Sequence, residues 1–402
     1  MTSIDLNRFC RAFVLLTALL VFSANAQPSL ISTNAGPKAV PRRASIILIV
    51  ADGLGYGDLS CYGQTKFQTP NLDRLAAEGI RFTNYSTFGA SFFANSWAQS
   101  SLLAGKNLSN GTRMPDEEVI IAAHDTTVTE ILKNAGYHTG LIGEWNLGDE
   151  NYGAPPWKKG FDEFAGYLNR FFNSKDVENF YADYMFRYAP KSIFNETNGQ
   201  MDAYVGRETI YANTDGQKGQ YIPDLYTKAA VNFIKNNLPD AANHYQPFFL
   251  LLNYPVPKAG MTVPSDAPFS SEAWPQAQKN QAAIISRLDG YVGQLQEQLQ
   301  KSGMTNNAVI FFTSTAVAQK AGGIDPEFFH SNISTNDLRV PMIVNWPGRI
   351  AAGQVSGVKS SPQDFLPTAA EIAFVYPAPE AEGISVAPVL FGQAQTNSPV
   401  KK

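Results

Sequence analysis

Residues 45–50 read Ser-Ile-Ile-Leu-Ile-Val, an uninterrupted aliphatic run that ends in Ala51-Asp52-Gly53-Leu54-Gly55-Tyr56-Gly57-Asp58. A half-exposed strand alternates apolar with polar residues, whereas a run this uniform suits a strand buried on both faces of a sheet. The glycine-rich turn then leaves Asp52 at the strand's carboxyl end, where open α/β sheets keep their chemistry. Similar runs recur at Pro247–Tyr254, Asn307–Ser314 and Val340–Trp346, with strand-like Thr139–Trp145 ahead of them. Helical stretches lie between. Asn71–Glu78 opens on a capping Asn and stops at Gly79, and Thr126–Asn134 stops at Gly136. Asp224–Asn237 and Asp364–Ala373 also read as helices. From Gln276 to Lys301 the residues Ile284, Leu288, Val292, Leu295 and Leu299 recur at helical spacing and predict one long, one-sided helix. This alternation predicts an α/β fold with a mixed, mostly parallel central sheet flanked by helices.

Composition agrees with a large buried core. The 402 residues are 44% hydrophobic and 16% charged, with a formal charge of −4, which excludes a disordered tail and a basic nucleic-acid binder. Arg8 and Arg11 precede the apolar run Ala12–Phe22, and Ala24-Asn25-Ala26 is a small-x-small cleavage pattern, so residues 1–26 read as a secretory signal peptide. The run is too short to anchor the chain in a bilayer, so no stable membrane anchor is expected after cleavage. Losing Arg8, Arg11 and Asp5 takes the balance from 31 basic against 35 acidic residues to 29 against 34. Cys10 leaves with this segment. Cys61 then stands alone, which excludes a disulfide scaffold, a Cys zinc site and a CxxC redox pair. The expected layout is a leader over 27–44, a core domain over 45–390 and a tail over 391–402. The aromatic, weakly periodic stretch 152–221 reads as an insertion over one face.

The chain resembles the formylglycine-dependent sulfatases of the arylsulfatase type. The likeness rests on Asp52-x-Leu54-Gly55-Tyr56-Gly57-Asp58 and Thr69-Pro70-Asn71-Leu72-Asp73-Arg74-Leu75, on Ser101-Leu102-Leu103-Ala104-Gly105, and on Gly143-x-Trp145-x-Leu147-Gly148. It continues in order through Leu338-Arg339-Val340-Pro341, Trp346-Pro347-Gly348 and Asp364-Phe365-Leu366-Pro367-Thr368. The resemblance implies the alkaline-phosphatase-like fold. It also implies a C-terminal subdomain that this chain, stopping soon after Gly383-Ile384-Ser385, largely lacks.

The same resemblance implies a chemistry whose parts can be checked by position. In the family a Cys or Ser within C/S-x-P-x-R becomes formylglycine; here the motif aligns with Asn95-Ser96-Trp97-Ala98-Gln99, placing Asn95 at the nucleophile and Gln99 at the Arg. An amide has neither thiol nor hydroxyl to oxidise. The family's Ca²⁺ is held by three carboxylates and an Asn. Asp52 matches the first, but Gly53 stands at the second, and Thr315 and Ala316 replace an Asp-Asn pair. A lone carboxylate is a poor Ca²⁺ site, since that ion takes about six to eight oxygens. Glu144 and Asn146 replace the Lys and His of the G-K-W-H-L-G element, Lys258 replaces the His of a Pro-His pair, and His330 appears where the family carries a Lys. Lys106 stays basic where the family has Arg.

Three functional readings follow. The leading one is a pseudoenzyme: a secreted or periplasmic sulfatase-like protein without the mechanism, needing no cofactor. It would bind sulfated polysaccharide or another anionic glycan through Lys106, Lys258 and His330, or bind a protein partner; no nucleic acid is expected. The second is an active sulfuric or phosphoric ester hydrolase using Ser96 as an alternative nucleophile, with Ca²⁺ in a displaced site. The third is a structural extracellular protein that uses the aromatic insertion as an interface. At Ser96 the competing reading is a helix cap; at Asp52 it is a turn residue.

Overall fold

Strand β1 (Ser45–Ala51) is buried along its whole length, as its unbroken apolar run requires. The computed structural model describes residues 43–88, 94–106, 121–122, 124–149, 154–168, 184–195, 200–211, 213, 218–256, 263–316, 328 and 338–395. The expected signal peptide, Lys258 and His330 lie outside the described residues. After β1 the chain runs through α1 (Pro70–Ala77), β2 (Ile80–Phe82), α2 (Ala94–Ala104), α3 (Val128–Asn134), β3 (His138–Glu144), β4 (Glu163–Tyr167), and the hairpin strands β5 (Tyr184–Asn195) and β6 (Gln200–Tyr211). It continues with α4 (Ile222–Asn236), β7 (Phe248–Tyr254), α5 (Gln276–Lys301), β8 (Ala308–Ser314), β9 (Met342–Asn345), β10 (Gln354–Ser356), α6 (Phe365–Ile372) and α7 (Ala387–Leu390).

The strands form one 10-stranded sheet in the order β10-β2-β9-β8-β1-β7-β3-β4-β5-β6. Its centre, β8-β1-β7-β3-β4, is parallel, and β9, β5 and β6 pair antiparallel. Alternate residues of β1 enter two cores. Ile47 and Ile49 pack with Leu75 of α1, Phe233 of α4 and Leu288 of α5, while Ile46, Leu48 and Val50 pack with Leu102 of α2, Leu132 of α3 and Leu366 of α6. Two covered faces explain why the central strands read as continuous apolar runs. This is the mixed, mostly parallel α/β sheet expected from the sequence.

Several local features differ from the sequence expectation for identifiable reasons. Helix α1 starts at Pro70 with Thr69 as N-cap, so Asn71 is inside the helix rather than capping it. Proline fits the first helical position because that amide is unsatisfied anyway. The free amides there are held from α5: the buried Asp289 carboxylate accepts from Asn71 N at 3.0 Å and Leu72 N at 2.8 Å. Helix α3 begins two residues later than expected because Thr127 and Glu130 form a capping box. The stretch expected to lie over one face instead carries β4, β5 and β6, which extend the sheet sideways. Part of its aromatic cluster is core: Tyr188 stacks on Trp157 at 4.3 Å and tilts against Phe164 at 5.6 Å. Phe171, Phe172 and Tyr181 lie outside the described residues. β5 pairs with β4 only from Phe186 to Tyr188, while its pairing with β6 runs on to Asn195↔Gln200. No helix among the described residues is long and apolar enough to cross a membrane.

Candidate functional site at the carboxyl edge of the sheet

Strands β8, β1, β7 and β3 end side by side, in a register that pairs Val50 with both Thr313 and Asn253, and Asn253 with Gly143. That register brings Asp52, Thr315, Asn253 and Glu144 to one edge. The chain after β1 is tied to both neighbours: Asp52 N donates to Val256 O at 2.9 Å, and Thr315 N donates to Ala51 O at 3.0 Å. Gly53 has φ 83°, a left-handed conformation that glycine adopts at little cost. Asp52 is 4% exposed.

The hydroxyls beside Asp52 are turned toward backbone. Ser314 Oγ accepts from Leu54 N at 3.1 Å and donates to Ala316 O at 2.8 Å; Thr315 Oγ1 donates to Ala51 O at 3.2 Å. With Gly53 offering no side chain and Ala316 no oxygen beyond its backbone, the donor set is one carboxylate. Among the described residues no group of three or more His, Cys, Asp or Glu could hold a metal. These residues do not fit a hard divalent cation, which needs several oxygens and the charge of more than one carboxylate.

Helix α2 brings its residues over the same edge. Asn95 is the second residue of α2, and Ser96 the third, so Ser96 sits inside the helix and does not cap it. Ser96 is buried, and among the described residues no basic side chain hydrogen-bonds its hydroxyl. Of the described histidines, His138 opens β3 at the far end of the sheet and pairs with Glu163 at 2.8 Å. Gln99 reaches the sheet: its Nε2 donates to the backbone oxygen of Glu144 at 3.3 Å, and the same oxygen accepts from Asn253 Nδ2 at 2.6 Å. Asn146, with φ 54°, donates from Nδ2 to the Glu144 carboxylate at 3.0 Å. An Asn tolerates that left-handed backbone better than most residues.

Lys106, just beyond α2, forms a short ion pair with Asp125. The Asp125 carboxylate also accepts from Ala122 N at 3.0 Å, and its backbone oxygen accepts from the buried Lys159 Nζ at 2.8 Å. Burial works to raise the Asp125 carboxyl, but the hydrogen bonds from Lys106 and Ala122 overcome it and hold the group below the usual carboxylate range. Lys106 is thus engaged within the fold.

The structure therefore gathers Asp52, Gly53, Thr315, Ala316, Glu144, Asn146 and Gln99 at one edge, with Asn95 and Ser96 in the helix above it. Two contributors went unread in the sequence. Asn253 was available as the only amide in the apolar run PFFLLLNY, a polar residue on a buried strand. Asp125 carried no signal, since nothing in the order of residues ties it to Lys106.

Comparison with known proteins identifies the family and the fold. The family model described as Sulfatase matches residues 44–375. Human N-acetylgalactosamine-6-sulfatase is 27% identical over 396 residues, covering 91% of this chain and 69% of that protein. Human arylsulfatase A is 28% identical over 394 residues, covering 92% and 72%. Among solved structures, Ps i-CgsB in complex with k-i-k-neocarrahexaose superimposes with a TM-score of 0.66 at 24% identity, over 87% of this chain and 76% of that one. The phosphonate monoester hydrolase of Agrobacterium radiobacter gives 0.61 at 17% identity, over 89% and 79%. These two likenesses concern the fold alone. With the family match spanning most of the chain and its landmarks in order along the same sheet edge, this protein belongs to the sulfatase family.

Proposed function

We propose that this chain is a non-catalytic member of the sulfatase family, secreted or periplasmic, that acts by binding a sulfated or otherwise anionic glycan. The observation that carries the reading is the residue set at the reacting positions. Asn95 has nothing to oxidise, and Asp52 is the sole carboxylate among the positions matching the metal ligands, with Gly53, Thr315 and Ala316 in place of the others. Loss of a single preorganised stabiliser costs about 10²–10³ in rate; here nucleophile and metal set are replaced together. Ser96 lacks a hydrogen-bonded base among the described residues, and an unactivated hydroxyl is a weak nucleophile.

A glycan ligand is supported by the relatives, one of which is named for N-acetylgalactosamine-6-sulfate chemistry, and by a fold neighbour captured with a carrageenan oligosaccharide. Lys258 and His330 would carry the anionic contacts, with Lys106 held by Asp125. The test is turnover of an aryl sulfate by the purified chain with added Ca²⁺, alongside retention on immobilised heparin. No turnover, with retention weakened in Lys258→Ala, is the expected outcome. Turnover abolished by Ser96→Ala would overturn the non-catalytic reading, and retention unchanged in Lys258→Ala would remove that residue from the binding surface.

A further inference from the structure

The strand register collects a second set of polar groups on one face of the sheet, away from the carboxyl edge. Residues opposite one another in a ladder share a face. Gly140 of β3 pairs with Glu163 of β4, Ala165 of β4 with Arg187 of β5, and Arg187 with Glu208 of β6. Helix α4 meets this face with Ala229, Asn232, Phe233 and Asn236, one stripe at helical spacing. A Cβ at Gly140 would lie 2.4 Å from the Phe233 ring, so the helix packs directly on β3. Beside that contact a cleft of about 260 Å³ opens, with Asn232 and Asn236 on the helix wall, Glu163, Arg187 and Ile210 on the strands, and Gly140 and Ala165 in its floor. Asn232, Asn236 and Arg187 are exposed, and Ile210 is 36% exposed.

Arg187 stands 3.8 Å from Glu163 and 3.5 Å from Glu208, both longer than the ~2.7–2.9 Å of a charge-assisted hydrogen bond. The two carboxylates hold the guanidinium in place without using its N–H donors. Among the described residues the side chains of Arg187, Asn232 and Asn236 make no hydrogen bond. Glu163 gives one oxygen to His138 Nε2 at 2.8 Å and turns the other toward Arg187. The hydrogen bond from His138 outweighs burial and holds Glu163 below the usual carboxylate range, so it is ionised at neutral pH. An anion at Arg187 would meet both carboxylates, and a cation at Glu163 would meet the guanidinium. A sugar hydroxyl both donates and accepts, so neighbouring hydroxyls can give to the carboxylate and take from the guanidinium. The asparagine amides of the opposite wall offer the same two-way bonding, and Ala165 and Ile210 meet the C–H side of a ring. The volume lies below the roughly 300–1,000 Å³ of drug-sized pockets, which suits one ring rather than several. We propose that this cleft binds a single uncharged sugar unit, with Glu163 and Arg187 together on its hydroxyls. The site is separate from the carboxyl edge and stands whether or not that edge binds a glycan.

The experiment is saturation-transfer NMR titration of the whole chain with glucose, galactose and mannose, followed by the amino and 6-phosphate forms of whichever binds. At least one neutral sugar is expected to bind saturably with a Kd on the order of 1 mM, and its two charged forms at least about tenfold more weakly. Arg187→Met and Asn232→Leu, both at exposed positions, are each expected to weaken binding about tenfold. Ala229→Leu, which narrows the cleft, is expected to abolish it; if that variant fails to fold, the two exposed ones give the same reading. Absence of saturable binding for all three sugars overturns the proposal, as does a charged form that binds as tightly as its parent. Binding unchanged in Arg187→Met, or a sugar displaced by heparin, places the ligand elsewhere on the protein and also overturns it.

Discussion

Lys106→Met is expected to destabilise the protein by about 2 kcal/mol while leaving heparin retention unchanged. The ion pair couples a lysine side chain 28% exposed to an Asp125 carboxylate only 9% exposed. A charge-assisted hydrogen bond contributes about 1.5–3 kcal/mol, and orphaning a fully buried charge costs about 3–5 kcal/mol. Two features keep the loss toward the lower figure. Asp125 keeps the Ala122 amide, and Lys159 stays bonded to its backbone oxygen. Lys106 is also partly solvated, which screens the pair. Urea unfolding followed by tryptophan fluorescence at pH 7 measures the difference. Because Asp125 is held below its unfolded pKa of about 3.9, its contribution is present above that pH and disappears as pH falls through the folded value. The gap between wild type and variant should therefore close in acid. Equal stability at pH 7, or heparin retention lost in a variant of normal stability, would refute the assignment of Lys106 to the fold.

Two further outcomes follow from buried carboxylates. Burial pushes Asp58 up to about 7 despite the hydrogen bond from Gly55 N at 2.7 Å, so the folded state holds a proton that the unfolded state has released. The stabilisation is complete below about pH 4 and is lost as pH rises through about 7, so Asp58→Asn should flatten the fall in Tm between pH 5 and 8; an unchanged slope would refute this. Asp289→Ala removes the acceptor for Asn71 N and Leu72 N and should cost about 2–3 kcal/mol, with faster amide exchange confined to the start of α1. A loss below about 0.5 kcal/mol would mean water replaces it without penalty.

The parts of the fold legible in the sequence were those whose burial is periodic or total. β1, β7 and β8 are covered on both faces, so their runs are apolar except near the strand ends, and α5 buries one stripe across its whole length. β4 to β6 were not legible because the stretch 152–221 carries no continuous apolar run of the kind that marks the central strands, and β5 and β6 lie at the edge of the sheet. The start of α1 was misplaced because its amides are satisfied by Asp289, a residue of α5 remote in sequence. At the site, the positions of Asp52, Gly53, Gln99 and Glu144 could be read by alignment to motifs. What those side chains do could not. The orientation of Gln99 depends on the backbone oxygen of Glu144, and that of Lys106 on Asp125, both fixed only by tertiary packing.

The β5–β6 hairpin projects from the end of the sheet opposite Asp52 and Glu144. β5 runs antiparallel to β4 and leaves it past Tyr188, at the end of the sheet away from Asp52 and Glu144. Seven more residue pairs, Ala189↔Gly206 to Asn195↔Gln200, continue as a ribbon about 23 Å long at ~3.3 Å per residue. Along that ribbon the outer backbone of β5 has no β4 partner, and that of β6 has no strand partner among the described residues. An attachment made there has the whole length of the parallel strands between it and the edge that carries Asp52 and Glu144. Tethering the protein by this ribbon would leave the opposite pole, with Asp52 and Glu144, facing solution.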